Sequence, residues 1–146
     1  MLLYKFYKLI TQIVRPFVPF YINRRLSQNK EDKMRVSERY GISSVKRGDG
    51  KVIWFHAASI GESLSILPVI KKLKSDKSIN QILLTTGTLS AANVLKKFLS
   101  KKIIHQFIPY DVPLYVRRFL NHWDPSIAIF VESEIWPNFL LSLIHI

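Results

Sequence analysis

Glu62 closes the run His56-Ala57-Ala58-Ser59-Ile60-Gly61-Glu62, which joins a β-branched and aromatic stretch to a helical one. A carboxylate placed just past a strand end can take a proton from an attacking hydroxyl that lies within hydrogen-bond reach. The plain alternative is that Glu62 complements the dipole of the helix it opens, worth about 0.3–1 kcal/mol. Ser59 is placed to cap that helix, and Gly61 lets another group come close to the backbone. A second acidic cluster, Glu132-Ser133-Glu134, follows the last strand-like run and projects from the same edge of a parallel sheet. Its alternative is the capped start of a helix before Trp136-Pro137-Asn138. Paired carboxylates also serve glycoside hydrolysis, although spacing in sequence sets no separation in space.

Thr85-Thr86-Gly87-Thr88 offers hydroxyls and backbone N–H groups to a polar ligand or phosphate, with a simple turn and helix cap as the alternative. It has neither the glycine-rich dinucleotide fingerprint nor the P-loop lysine. Asp111, before Val112-Pro113, reads as a helix cap, and His56 as a hydrogen-bonded structural histidine. With no cysteine there is no disulfide framework, thiolate zinc site or cysteine nucleophile, and His56, His105, His122 and His145 lack metal-ligand spacing, so no metal or cofactor is expected.

The elements that must position these residues follow Lys51. Val52–His56, Gln81–Thr86, Ile103–Ile108 and Ser126–Val131 read as strands, the first and last apolar enough for burial on both faces. Glu62–Lys74, Ser90–Leu99 and Val112–Leu120 read as helices between them. This alternation predicts an α/β fold with a Rossmann-like, doubly wound parallel sheet and right-handed crossovers. A further helix begins near Pro137, where such a sheet ordinarily goes on to another strand; the chain therefore reads as a piece of something longer.

The 146 residues suit one globular domain, and 22 Lys+Arg against 10 Asp+Glu give a net charge of +12. Residues 1–51 hold 12 basic and 4 acidic side chains, so most of the excess lies in the N-terminal third. Leu2, Phe6, Leu9, Ile13 and Phe17 recur at helical spacing opposite Lys5, Lys8, Gln12 and Arg15. Three cations, Pro16 and Pro19 interrupt the run, which favours an amphipathic helix over residues 1–22 lying in the headgroup plane, with a helix packed on the domain as the first alternative and a membrane span or signal peptide disfavoured. The basic connector 23–51 adds cations for an anionic membrane surface. Residues 52–146 then form the partial α/β domain. A non-enzymatic basic module for membrane or nucleic acid rests on charge alone, and no nucleic-acid motif is present.

His-Ala-Ala-Ser-Ile-Gly-Glu at 56–62, Thr-Thr-Gly-Thr at 85–88, Pro-Tyr-Asp-Val-Pro at 109–113 and Glu-Ser-Glu-Ile-Trp-Pro-Asn at 132–138, with Glu-Arg-Tyr-Gly at 38–41, come in the order and at the intervals of one family. The chain, up to about Leu140, resembles the N-terminal domain of 3-deoxy-D-manno-octulosonic acid (Kdo) transferases. The resemblance implies the N-terminal half of a GT-B glycosyltransferase that moves Kdo from CMP-Kdo to the lipid A precursor, without a catalytic metal, at the cytoplasmic face of the inner membrane during lipopolysaccharide synthesis. It also implies that Glu62 is the proton acceptor and Glu132 a second functional carboxylate that orients groups or stabilises the transition state, with Glu134 less favoured. Ser59, Gly61, Thr86 and Gly87 are then expected to touch the acceptor. The C-terminal domain that supplies most of the CMP-Kdo site in the family is absent from this sequence.

Overall fold

The computed structural model describes residues 2–132 and 136–144. They cluster into two compact units, one of Val45–Ile108 and His122–Glu134 and one of Met1–Ser44, Pro109–Asn121 and Ile135–Ile146.

The first unit is built on a parallel sheet of β1 (Val52–His56), β2 (Gln81–Thr86), β3 (Ile103–Phe107) and β4 (Ile127–Phe130), in the order β3-β2-β1-β4. His56 at the end of β1 lies opposite Thr85 on one side and Phe130 on the other. The connections run through α3 (Ile60–Ser65), α4 (Leu67–Lys74) and α5 (Leu89–Leu95). Alternate strand residues Ile53, Phe55, Ile82 and Leu84 bury against Ile66, Leu67, Ile70 and Leu95, as the period of two along a strand requires. The α/β parallel architecture thus matches the expectation from the sequence.

Two details differ. The helix expected over Glu62–Lys74 is divided at Ile66, because Pro68 has no N–H to continue the ladder and instead occupies the first turn of α4. β4, expected to be buried on both faces, is an edge strand with Ile127 53% and Ile129 39% exposed. Its apolar residues follow from β propensity, whereas burial depends on neighbours that local sequence does not specify.

In the second unit the helix expected over 1–22 is α1 (Leu2–Val14), a 3₁₀ turn (Arg15–Phe17) and α2 (Val18–Ser27). Pro16 and Pro19 stand second in the last two pieces, within the first turn, where no N–H is needed. A 3₁₀ segment, Lys33–Tyr40, follows Asp32, whose carboxylate accepts from Met34 N at 3.0 Å. Each residue of Glu38-Arg39-Tyr40-Gly41 then has a structural task. Buried Glu38 accepts from Arg35 at 2.8 Å, and buried Arg39 donates to Glu31 at 2.9 Å. Tyr40 packs edge-on against Tyr115. Gly41 has φ 75°, and a Cβ there would stand 2.1 Å from the carbonyl oxygen of Tyr115. Arg25 shares Glu31 at 2.6 Å, so Arg25, Arg35 and Arg39 of the basic stretch are paired within the protein. Val18, Ile22, Val112 and Tyr115 form this unit's apolar cluster.

α7 (Pro137–Ile144) is anchored by Asp111, which also lies in this unit. The Asp111 carboxylate accepts from Asn138 N and Phe139 N, each at 3.1 Å, and from the Tyr7 hydroxyl at 2.8 Å. Asp111 is therefore a helix cap, but of α7 and not of the helix that follows it in sequence. Burial pushes its carboxyl above the ordinary carboxylate range, against the pull of these hydrogen bonds. A carboxyl raised in this way favours folding most below its ordinary pKa, and that contribution is lost as pH rises through the raised value. Urea unfolding across that window should show the native chain losing stability relative to Asp111→Asn as pH increases. A difference that does not change with pH would mean that the hydrogen bonds offset burial in full, and a native chain gaining stability with pH would mean that they outweigh it. At neutral pH the substitution should still cost about 1–3 kcal/mol, since an amide cannot satisfy all three donors.

Candidate functional site

β1 ends at His56, and Ala57–Ser59 carry the chain to α3. Ser59 has the extended backbone of a helix N-cap, and its Oγ accepts from Glu62 N at 3.3 Å. In return the Ser59 hydroxyl donates to one Glu62 carboxylate oxygen at 2.7 Å, while Ala58 N donates to the other at 2.8 Å. This is a variant of the reciprocal capping box of Ser-x-x-Glu, in which the carboxylate takes the N–H of the residue before the cap and the hydroxyl of the cap itself. Each carboxylate oxygen has more than one lone pair, so the box fixes the group's orientation and leaves acceptor capacity on the same atoms. The side chain is half-buried. Capping and proton acceptance are therefore compatible at Glu62.

The adjacent strand brings the second carboxylate. β4 pairs with β1 through Phe130, and Val131 N extends the ladder to His56 O at 2.9 Å. Glu132 follows, exposed and with φ 63°. The chain leaves β1 to build β2 and β3 on one side and returns to place β4 on the other, so the order reverses between β1 and β4. That reversal is the topological switch point, outside whose carboxyl ends open α/β sheets bind ligands. The segments carrying Glu62 and Glu132 leave adjacent strands at this crevice. Glu134 lies outside the described residues.

The remaining expected residues divide. Ser59 and Gly61 are exposed, and a Cβ on Gly61 would meet nothing within 4 Å. Gly87 lies beside the Glu62 loop, since its Cβ would stand 3.6 Å from Ala58 O. Thr86 is fully buried, and its hydroxyl is engaged with His105 Nε2 at 2.9 Å. Thr88 caps α5 by accepting from Ala91 N at 3.2 Å. The Thr85-Thr86-Gly87-Thr88 run thus presents Gly87 to the crevice while its hydroxyls hold the sheet and helix.

Beneath the crevice, the Thr85 hydroxyl joins neighbouring strands. It accepts from Trp54 Nε1 at 2.8 Å and bonds His56 Nδ1 at 2.9 Å. His56 is buried and stacks edge-on with Phe130 of β4. This polar knot stiffens the strand ends that carry both acidic loops. Sequence reasoning gave His56 a structural role without its partner, because the Thr85 contact follows from strand register. Among the described residues no group of three His, Cys, Asp or Glu is placed to hold a metal ion.

The chain is similar to proteins of one kind. Residues 34–145 match the family model for 3-deoxy-D-manno-octulosonic-acid transferase (kdotransferase). A protein of Arabidopsis thaliana named "Probable 3-deoxy-D-manno-octulosonic acid transferase, mitochondrial" is 41% identical over 95% of this chain and 31% of its own length. The 3-deoxy-D-manno-octulosonic acid transferase of Rickettsia bellii is 35% identical over 92% of this chain and 32% of its own. That of Haemophilus influenzae is 29% identical over 94% and 33%. The chain spans about a third of the length of these relatives.

Two substitutions test the local geometry by urea unfolding. Ser59→Ala should cost about 1 kcal/mol through the lost cap. Glu132→Gly should gain about 1 kcal/mol, because glycine adopts positive φ without the Cβ penalty that Glu132 bears. A loss of stability in Glu132→Gly would show that its side chain holds the loop more strongly than its backbone strains it.

Proposed function

This chain belongs to the 3-deoxy-D-manno-octulosonic acid (Kdo) transferase family, and from that premise we propose that it forms the acceptor side of a GT-B glycosyltransferase that moves Kdo from CMP-Kdo to the lipid A precursor in lipopolysaccharide synthesis. The observation that carries this reading is the Glu62 carboxylate, held by Ala58 N and Ser59 Oγ at the switch point between β1 and β4. In the proposed reaction an acceptor hydroxyl oxygen attacks the anomeric carbon of Kdo. Its proton passes to Glu62, the new carbon–oxygen bond forms, and the bond to the CMP phosphate breaks. A base whose orientation is already fixed needs no rearrangement at that moment. Glu132, on the adjacent strand end, orients the sugar or offsets charge that develops on it. CMP-Kdo is held mainly by a C-terminal domain, and no metal takes part in the proposed transfer.

The acceptor is amphiphilic, so the enzyme must work at a bilayer surface. The apolar stripe of α1 supports this, with Leu2 85%, Phe6 61% and Leu9 53% exposed. Among the described residues no helix is long and apolar enough to cross a membrane. We place α1 in the headgroup plane at the cytoplasmic face of the inner membrane.

The test joins this segment to the C-terminal remainder of the Rickettsia bellii relative and measures Kdo transfer from CMP-Kdo to lipid A precursor. Glu62→Gln should lower transfer about 10²–10⁴-fold, the usual contribution of a general base, while lipid A precursor still binds. Unchanged transfer would remove Glu62 from the base role. Gly61→Ala, whose Cβ meets only open space within the chain, should leave stability intact and weaken acceptor binding; undiminished binding would place the acceptor elsewhere.

A further inference from the structure

The helical unit holds a cavity of about 370 Å³ lined by α1, α6 (Pro113–Trp123) and α7. Its walls include Tyr4, Lys8 and Arg15 from the N-terminal segment, Arg117 from α6 and Asn138 from α7, and among the described residues none that lines it is acidic. Lys8 and Arg15 belong to the polar stripe of the N-terminal helix, which turns into this cavity while the opposite, apolar stripe stays exposed. Among the described residues Lys8, Arg15 and Arg117 form no ion pair, unlike Arg25, Arg35 and Arg39. The first turn of α6, at Pro113 and Leu114, also lines the cavity and brings the positive end of a helix dipole.

Asn138 gives an independent sign of a ligand. It is 1% exposed, and its amide nitrogen donates to Asp111 O at 2.6 Å and to Thr11 Oγ1 at 3.3 Å. These acceptors fix which end of the amide is oxygen. Among the described residues, Oδ1 has no hydrogen-bond partner. A buried acceptor left without a donor is destabilising, and here it belongs to a residue in the wall of a cationic cavity. Three cations around one cavity attract an anion to it, and the buried carbonyl oxygen lacks a donor.

We propose that this cavity binds a phosphate ester that also carries a free hydroxyl, with Lys8, Arg15 and Arg117 on the phosphate oxygens and Asn138 Oδ1 accepting the hydroxyl proton. Phosphate suits a mixed arginine and lysine set, since arginine forks onto two oxygens while lysine serves as a point charge. The ester is either a soluble metabolite or a phospholipid headgroup. Its residues belong to the helical unit, and Glu62 to the sheet unit.

Calorimetric titration of the whole chain with glycerol 1-phosphate and with methyl phosphate tests both halves of the site. Glycerol 1-phosphate should bind several-fold more tightly, because only it brings a hydroxyl to Asn138. Lys8→Ala/Arg117→Ala, both on exposed side chains, should weaken it by roughly tenfold or more through lost charge-assisted contacts. Lys71→Ala/Lys72→Ala on α4, an equal change in net charge, should leave it unaltered. Equal affinity for the two esters, equal weakening in the α4 variant, or no binding of either ester would overturn the proposal. Vesicles of phosphatidylcholine with phosphatidylglycerol separate the two sources. Competition between these vesicles and glycerol 1-phosphate identifies a lipid headgroup, and simultaneous binding identifies a soluble ester.

Discussion

The pairing of β4 with β1 is the constraint on which the candidate site depends. β1 is fully buried and bonded in parallel to β2 on one side and β4 on the other. Because β4 joins β1 instead of continuing beyond β3, the strand order reverses at that seam and opens a crevice at the carboxyl ends. His56 and Thr85 hold the same strand ends by a side-chain bond, and Val131 N closes the ladder onto His56. Glu62 and Glu132 owe their placement at one edge to this pairing.

Much of this was legible in the sequence, for physical reasons that differ by element. β1 and β2 have the bounds expected from their apolar, β-branched runs, since a strand's propensity and its burial pattern point the same way. The capping box at Ser59 and Glu62 needs only local spacing, so it too could be read. The division of the helix at Ile66 follows from Pro68, whose effect the apolar stripe masked. Exposure of β4 was not legible, because whether an apolar strand lies at an edge depends on which strand it pairs with. Nor was the true partner of Asp111, since Tyr7 and Asn138 reach it from distant parts of the chain.

At Glu62 helix capping and the proposed base role are compatible. The hydrogen bonds that satisfy α3's first turn determine where its carboxylate points. A base at the end of a freely rotating side chain would have to be ordered in each reaction cycle, at an entropic cost that this box has already met. In the helical unit, buried Glu31 with Arg25 and Arg39 plays a comparable organising part, joining α2 to the 3₁₀ segment through paired charges. Breaking one partner of such a pair leaves a buried charge uncompensated, which is far more costly than the pair's net worth.

The proposed reaction requires the acceptor sugar to sit at the β1–β4 edge against Glu62. Its most direct test records backbone amide NMR shifts of this chain as lipid A precursor is added in detergent micelles, with empty micelles as the reference. The largest shifts should fall across Ala58–Glu62 and at Gly87 and Glu132. Shifts confined to α1, with the strand ends unmoved, would contradict it and leave only a membrane-contacting role for the segment.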